Sequence, residues 1–226
     1  QPRFEGHRPA QEKTVNSTAW LPSLNSDVDP LTEKARARLA EARIAVPGLG
    51  GVGGGHVHTL AALGVKRFHL ADLDEFELAN FNRQAGATME TMGRPKVEVL
   101  AEAIRAYHPD SSEVEVRTFP TGIARENIDA FLDEVDVVVD GIEFFAIRTR
   151  RMLYQAARRK GIPVVHAGPI GYGATVLVFT PSGPSFDEYF RLDDRMTEAE
   201  MLMAHGLGHG TGFSGDVDPA HVDVDR

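Results

Sequence analysis

The sequence predicts a doubly wound α/β domain built on a mostly parallel sheet. Three observations point there. Apolar runs of strand length alternate with helix-forming stretches of ten residues or more, and that alternation implies parallel strands joined by crossover helices. Glycines crowd the junction after the first apolar run, and VDVVV at 135–139 has the β-branched continuity of a central strand buried on both faces.

Taken in order, residues 1–30 carry Pro2, Pro9, Pro22 and Pro30 among Asn, Ser and Asp, and read as an irregular arm. Residues 31–43 (LTEKARARLAEAR) are rich in helix formers, with Thr32 in the N-cap position. A short strand at 44–46 ends at Pro47, where no ladder N–H is needed. A helix at 56–63 follows the glycines, and a second strand at 68–70 leads to Asp72. Residues 74–93 are polar and irregular. Then come a helix at 96–107, an alternating strand at 114–119, a helix at 126–132, the central strand at 135–139, a helix at 147–160 and strands at 163–166 and 174–179. Beyond Pro181 the chain turns acidic, and GLGHGTGFSG at 206–215 holds five glycines in ten residues, so loops are expected. The division is thus an arm at 1–30, a nucleotide-binding domain at 31–181 and an irregular segment at 182–226.

Composition narrows the chemistry. Of 226 residues, 42% are hydrophobic and 25% charged, ordinary for a globular chain with a substantial core. The 33 acidic residues outnumber the 24 basic ones, and the resulting charge of −9 repels phosphate backbones, so nucleic acid is not an expected partner. No apolar run is long enough to span a bilayer and the polar first ten residues lack a secretory core, so the expected location is cytoplasmic. Cysteine is absent, which removes disulfides, Cys-ligated zinc, thiol nucleophiles and thioester carriers together.

The run Gly48-Leu49-Gly50-Gly51-Val52-Gly53 lies where a strand enters a helix. Each glycine costs a helix interior about 1 kcal/mol relative to alanine, and the usual compensation is a phosphate that only bare backbone can approach, held at a helix N-terminus. Asp72, at the end of the second strand, is placed to take ribose hydroxyls. Between it and the next helix lie Asn80, Asn82, Arg83, Gln84, Arg94 and Lys96. A nicotinamide dinucleotide would leave those cations without a partner. A triphosphate would use Arg83 as a planar fork and Lys96 as a point charge on the departing pyrophosphate.

These segments, GLGGVG at 48–53, LADLDEFELANFNRQ at 70–84 and GRPKVEVL at 93–100, closely resemble the ThiF/MoeB-type adenylyltransferases, bacterial relatives of ubiquitin-activating enzymes, over about residues 42–179. The resemblance implies a Rossmann-like ATP-binding domain in which a carboxylate attacks the α-phosphate of Mg-ATP to give an acyl adenylate. By position, Gly48, Gly50, Gly51 and Gly53 line the phosphates, Asp72 holds the ribose, Asp74 is a further cofactor-binding residue, and Asn80, Arg83 and Gln84 face the polyphosphate with Lys96 as their partner. It further implies a homodimer, with strand 174–179 contributing to the interface. Where the family carries a magnesium aspartate followed by asparagine, this chain has Glu143 and Phe144, so Glu143, with Asp140 as the alternative, is the expected magnesium ligand. Without cysteine, no zinc is expected, and an external nucleophile must intercept the adenylate. The substrate class is a carboxylate on a small protein, peptide or metabolite. The competing readings are an NAD- or FAD-binding oxidoreductase and a nucleotide-binding scaffold without activity.

The remaining signals are smaller. His205 and His209 have metal-compatible spacing on a helix, but Gly206 and Gly208 argue against one and no third ligand is evident, so a flexible tail is expected. His56 is read as a residue of the cap region, and His58 cannot share its face. His166 and the turn at 171–173 are candidates for an acceptor pocket, and Phe186, Tyr189 and Phe190 for a lid, a dimer contact or plain packing.

Overall fold

The structure, a computed structural model, describes residues 33–170 and 173–210. The N-terminal arm, Thr32, the turn residues Gly171 and Tyr172, and the end of the C-terminal segment lie outside the described residues. The order is α1 (Glu33–Glu41), β1 (Arg43–Pro47), α2 (Gly51–Ala62), β2 (Arg67–Ala71), α3 (Lys96–Ala106), β3 (Glu115–Phe119), α4 (Ile128–Phe131), β4 (Val137–Asp140), α5 (Ile147–Arg159), β5 (Val164–Ile170), β6 (Gly173–Phe179), α6 (Phe186–Phe190) and α7 (Glu198–Gly210).

One six-stranded sheet runs β3-β2-β1-β4-β5-β6. All neighbouring pairs are parallel except β5 with β6, which are antiparallel with Val164 opposite Phe179. Alternation along β1 sends Ile44 and Val46 to one face and Ala45 to the other, so helices cover both. On the first face α2 and α3 bury Val57, Ala61, Val97, Leu100 and Ile104 against Phe68 and Leu70. On the second, Phe131, Leu153, Tyr154, Phe186, Phe190 and Met201 pack with Val138 and Phe179.

Three sequence expectations change. α2 begins at Gly51, not at residue 56, because its glycines pack rather than merely bend: a Cβ on Gly53 would lie 1.8 Å from the Gly48 carbonyl oxygen. The central strand is exposed to the core on only one side in full, since Val138 is buried while Val137 and Val139 are half-buried. The segment expected to be irregular after Pro181 contains two helices. Ser185 caps α6 by accepting from the Glu188 amide, and Phe186 and Phe190 are core residues, whereas Tyr189 between them is exposed. α7 tolerates Gly208 because a Cβ there would meet the Phe190 ring at 2.4 Å; close approach of α6 requires the missing side chain.

The order in which successive strands are added to the sheet switches sides between β1 and β4, the parallel central neighbours, and the carboxyl ends of these strands form the crevice in which open α/β sheets hold ligands. Gly48, at φ +77°, stands there against Gly141, and a Cβ on it would lie 2.2 Å from the Gly141 oxygen.

Candidate nucleotide site

The glycines divide into two roles. Gly48 and Gly53 serve backbone contact with Gly141, whereas Gly50 and Gly51 face outward from the N-terminus of α2. Gly50 is the N-cap of that helix and supplies no side-chain acceptor, and the first turn contains no acid. The leading amides of a twelve-residue helix are therefore left for something outside it, with the positive end of the helix dipole behind them.

Two predicted residues stand over this opening. A Cβ on Gly50 would find only the Gln84 Nε2 within 4 Å, at 3.9 Å, and one on Gly51 would find the Arg83 carbonyl at 3.2 Å and its Cγ at 3.6 Å. A short 3₁₀ turn (Leu78–Asn80) places them: the buried Asn80 accepts from the Glu77 amide at 2.9 Å, and its carbonyl accepts from the Arg83 and Gln84 amides. Arg83 donates to the Ala79 carbonyl at 2.9 Å and to Asn82 Oδ1 at 3.1 Å, and forms no ion pair among the described residues. Gln84 is buried, and its Oε1 has no hydrogen-bond partner, which points to a donor that the protein itself does not supply.

Lys96 is the first residue of α3, where a cation opposes the helix dipole by about 0.3–1 kcal/mol. Its side chain is nonetheless only 4% exposed, with Nζ 2.9 Å from Asp74 Oδ2, while Asp74 is 55% exposed. A buried ammonium answered by one largely solvated carboxylate has capacity for further anionic partners. Backbone bonds between 74–76 and 93–96 hold this loop closed: Lys96 N to the Asp74 carbonyl, Phe76 N to Arg94 and Gly93 N to Phe76. Asp72 is half-buried and accepts from the Leu49 amide at 2.5 Å through one oxygen and from the Asp74 amide at 2.8 Å through the other. It thus ties the glycine loop to β2. Arg94, grouped with the cations in the sequence, instead pairs with Glu102 on the surface at 2.6 Å.

Across the crevice, Asp140 is fully buried. Its Oδ2 accepts from Arg150 Nε at 2.9 Å and from Tyr154 OH and His166 Nδ1, both at 2.8 Å, and its Oδ1 accepts from the Ile142 amide at 2.9 Å. Burial would raise its pKa, but the Arg150 charge and the His166 and Ile142 bonds hold it well below the usual carboxylate range. Both oxygens are committed within the protein. Glu143, three residues on, is exposed and forms no ion pair among the described residues.

The sequence reading missed Arg150 and Tyr154. Their signal is positional: Ile147, Arg150, Leu153, Tyr154 and Ala157 form the buried stripe of α5, and a lone arginine on such a stripe implies a buried acid opposite. It also missed how His205 and His209 are used. Both lie on α7 and are buried beside His166. His56 falls in the second turn of α2, and His58 Nδ1 lies 3.0 Å from the Tyr107 hydroxyl.

The arrangement suits a polyphosphate nucleotide: an open helix N-terminus, a guanidinium, an ammonium and an amide on one side, and a carboxylate loop on the other. Known proteins resemble the chain over most of this domain. The sequence model of the ThiF family matches residues 23–215, beyond both ends of the stretch in which the motifs are legible. The SAMP-activating enzyme E1 of Haloferax volcanii is 31% identical over 159 residues, which are 70% of this chain and 57% of that protein. The tRNA threonylcarbamoyladenosine dehydratase of Escherichia coli K12 is 33% identical over 158 residues, again 70% and 57%. The crystal structure of the E. coli dehydratase in complex with ATP matches with a TM-score of 0.57 at 33% identity, covering 62% of this chain and 56% of that one. The chain therefore spans a little over half the length of these relatives. With the sheet order, the glycine loop and a family match over most of its length in agreement, the chain belongs to the ThiF family.

Proposed function

We propose that this protein binds Mg-ATP at the α2 N-terminus and activates a carboxylate as its acyl adenylate. A carboxylate oxygen attacks the α-phosphorus and the bond to the bridging oxygen breaks, so that pyrophosphate leaves. The observation that carries this reading is the uncapped N-terminus of α2 with Arg83 and the Gln84 amide nitrogen over it, and the buried Lys96 on the loop that Asp72 ties to it. Gly50 and Gly51 admit the phosphates to the backbone amides, with Gly48 and Gly53 shaping the loop. Arg83 and Lys96 take the charge that develops on the departing oxygens, which is the interaction that favours the transition state over bound substrate. Asn80 and Gln84 orient the chain of phosphates, and Asp72 and Asp74 border the ribose.

Magnesium, when bound, would neutralise phosphate charge and fix its geometry. With both Asp140 oxygens engaged, Glu143 is the residue that fits as its protein ligand, a free carboxylate at the crevice. The relatives include proteins named for activating SAMP and for adenylylating the sulfur carrier protein ThiS, which supports a carboxylate on a small protein or peptide as the substrate. The acidic balance of the chain disfavours nucleic acid. Exposed Val176 and Val178 on the edge strand β6 support a homodimer through that strand. ATP–pyrophosphate exchange, screened over candidate protein C-termini, peptides and small acids, tests the proposal. Exchange with one acid is expected, and Mg-ATP binding with no exchange for any acid would favour the inactive scaffold.

A further inference from the structure

Three histidines far apart in the sequence meet at the edge of this crevice. His166 projects from β5, and His205 and His209 lie one turn apart on α7; their exposures are 3%, 1% and 5%. His209 Nε2 is 3.0 Å from His166 Nε2 and 3.2 Å from His205 Nε2, and the three coordinating nitrogens lie within 4.8 Å of one another. Three nitrogens held at 2.0–2.1 Å around a tetrahedral zinc would be about 3.3 Å apart.

The outer contacts fix the ring tautomers. The Asp140 carboxylate can only accept, so the His166 Nδ1 at 2.8 Å carries the hydrogen, and in the neutral imidazole, the form that ligates metals, Nε2 presents a lone pair. His209 Nδ1 is 2.8 Å from Thr175 Oγ1, which itself donates toward the Gly168 carbonyl at 3.4 Å. His209 then donates to the threonine, and its Nε2 also presents a lone pair. Two lone pairs facing each other at 3.0 Å repel, and His205 Nε2 meets the same point. A single hydrogen cannot bridge three converging nitrogens, whereas a cation with several coordination positions can.

We propose that His166, His205 and His209 form a transition-metal site of the zinc class, which fastens α7 to the carboxyl edge of the sheet. All three donors are imidazole nitrogens, which suits borderline metals. The Asp140–His166 contact is the carboxylate that orients and strengthens a metal-bound imidazole, and Thr175 does the same for His209. Among the described residues no fourth His, Asp or Glu joins the group, so water completes the coordination. The His205 ring packs 5.3 Å from Phe144, the neighbour of Glu143, so the fastened helix backs one wall of the crevice.

The site reverses the sequence expectation of no zinc, and it stands independently of the adenylation reading. The full chain, stripped with a chelator, is titrated with cobalt chloride and then with zinc chloride. Visible d–d absorption saturating at one equivalent, lost on zinc addition and absent in His205→Asn and His209→Asn, is the expected result. His108→Ala, just past the C-terminus of α3, retains it. Absence of saturable absorption in the wild type, or its persistence in both variants, overturns the proposal. Should the variants fail to fold, X-ray absorption of the zinc-loaded wild type decides: scattering from about three imidazoles supports the site, and an oxygen-only shell refutes it.

Discussion

Replacing Lys96 by methionine separates a residue that serves the polyphosphate from one that serves the fold. Methionine keeps most of the buried aliphatic stem and removes the charge. In the free protein the loss is one ion pair to Asp74, a carboxylate 55% exposed, and screening limits such a pair to at most about 1 kcal/mol. In the ATP complex the ammonium would make charge-assisted hydrogen bonds to the β- and γ-phosphates, each contributing about 1.5–3 kcal/mol. One such bond lost weakens ATP binding about 10- to 150-fold. AMP lacks those phosphates, so its affinity should change by less than about fivefold, the most that the free-protein effect would explain. Titration calorimetry with ATP and with AMP on both proteins measures the contrast. Equal loss of affinity for the two nucleotides would show that Lys96 shapes the site through Asp74 and does not touch the leaving group.

Other perturbations test neighbouring claims. Gly53→Ala should destabilise by more than about 4 kcal/mol, because its Cβ would lie 1.8 Å from the Gly48 carbonyl; Gly55→Ala, with nothing within 4 Å, should be neutral or stabilise by up to about 1 kcal/mol. Urea melts of the two variants compare them directly, and similar midpoints would contradict the packing argument. Magnesium should increase ATP affinity in the wild type and in Glu143→Asp but not in Glu143→Gln; an equal increase in all three would remove Glu143 as a ligand. His69 is buried, and burial lowers its pKa despite the Phe131 carbonyl that accepts from its ring. The unfolded chain therefore takes up a proton that the native state resists, and stability should fall as pH drops below about 6.5, by up to about 1.4 kcal/mol per pH unit. His69→Asn, whose amide can replace the bond to Phe131, should flatten that slope between pH 7 and 5 in denaturant melts; an unchanged slope would assign the effect elsewhere.

Much of this architecture is legible because parallel strands buried by helices on both faces must be short apolar runs, as VDVVV and the strands around Ala45 and Leu70 are. The residues proposed for the polyphosphate stand out for a related reason: glycines and cations in an aperiodic stretch match neither a strand nor a helix pattern. Where the reading failed, long-range contact had overridden local preference. Glycines 53 and 54 lie inside α2 because bare backbone packs against Gly48, Leu49 and Gly141, and the sequence shows only their helix-breaking cost. Gly208 read as a breaker, yet it is the residue on which Phe190 rests. The histidine cluster joins β5 to α7 across forty-three residues, a proximity that no spacing rule contains.

The most direct test of the nucleotide site is a crystal structure with magnesium and a non-hydrolysable ATP analogue. The phosphates are expected against the Gly50 and Gly51 amides, with the β- and γ-groups within hydrogen-bond reach of Arg83 and Lys96 and the metal on Glu143. A triphosphate bound elsewhere, or one in the crevice that leaves both cations without contact, would contradict the account.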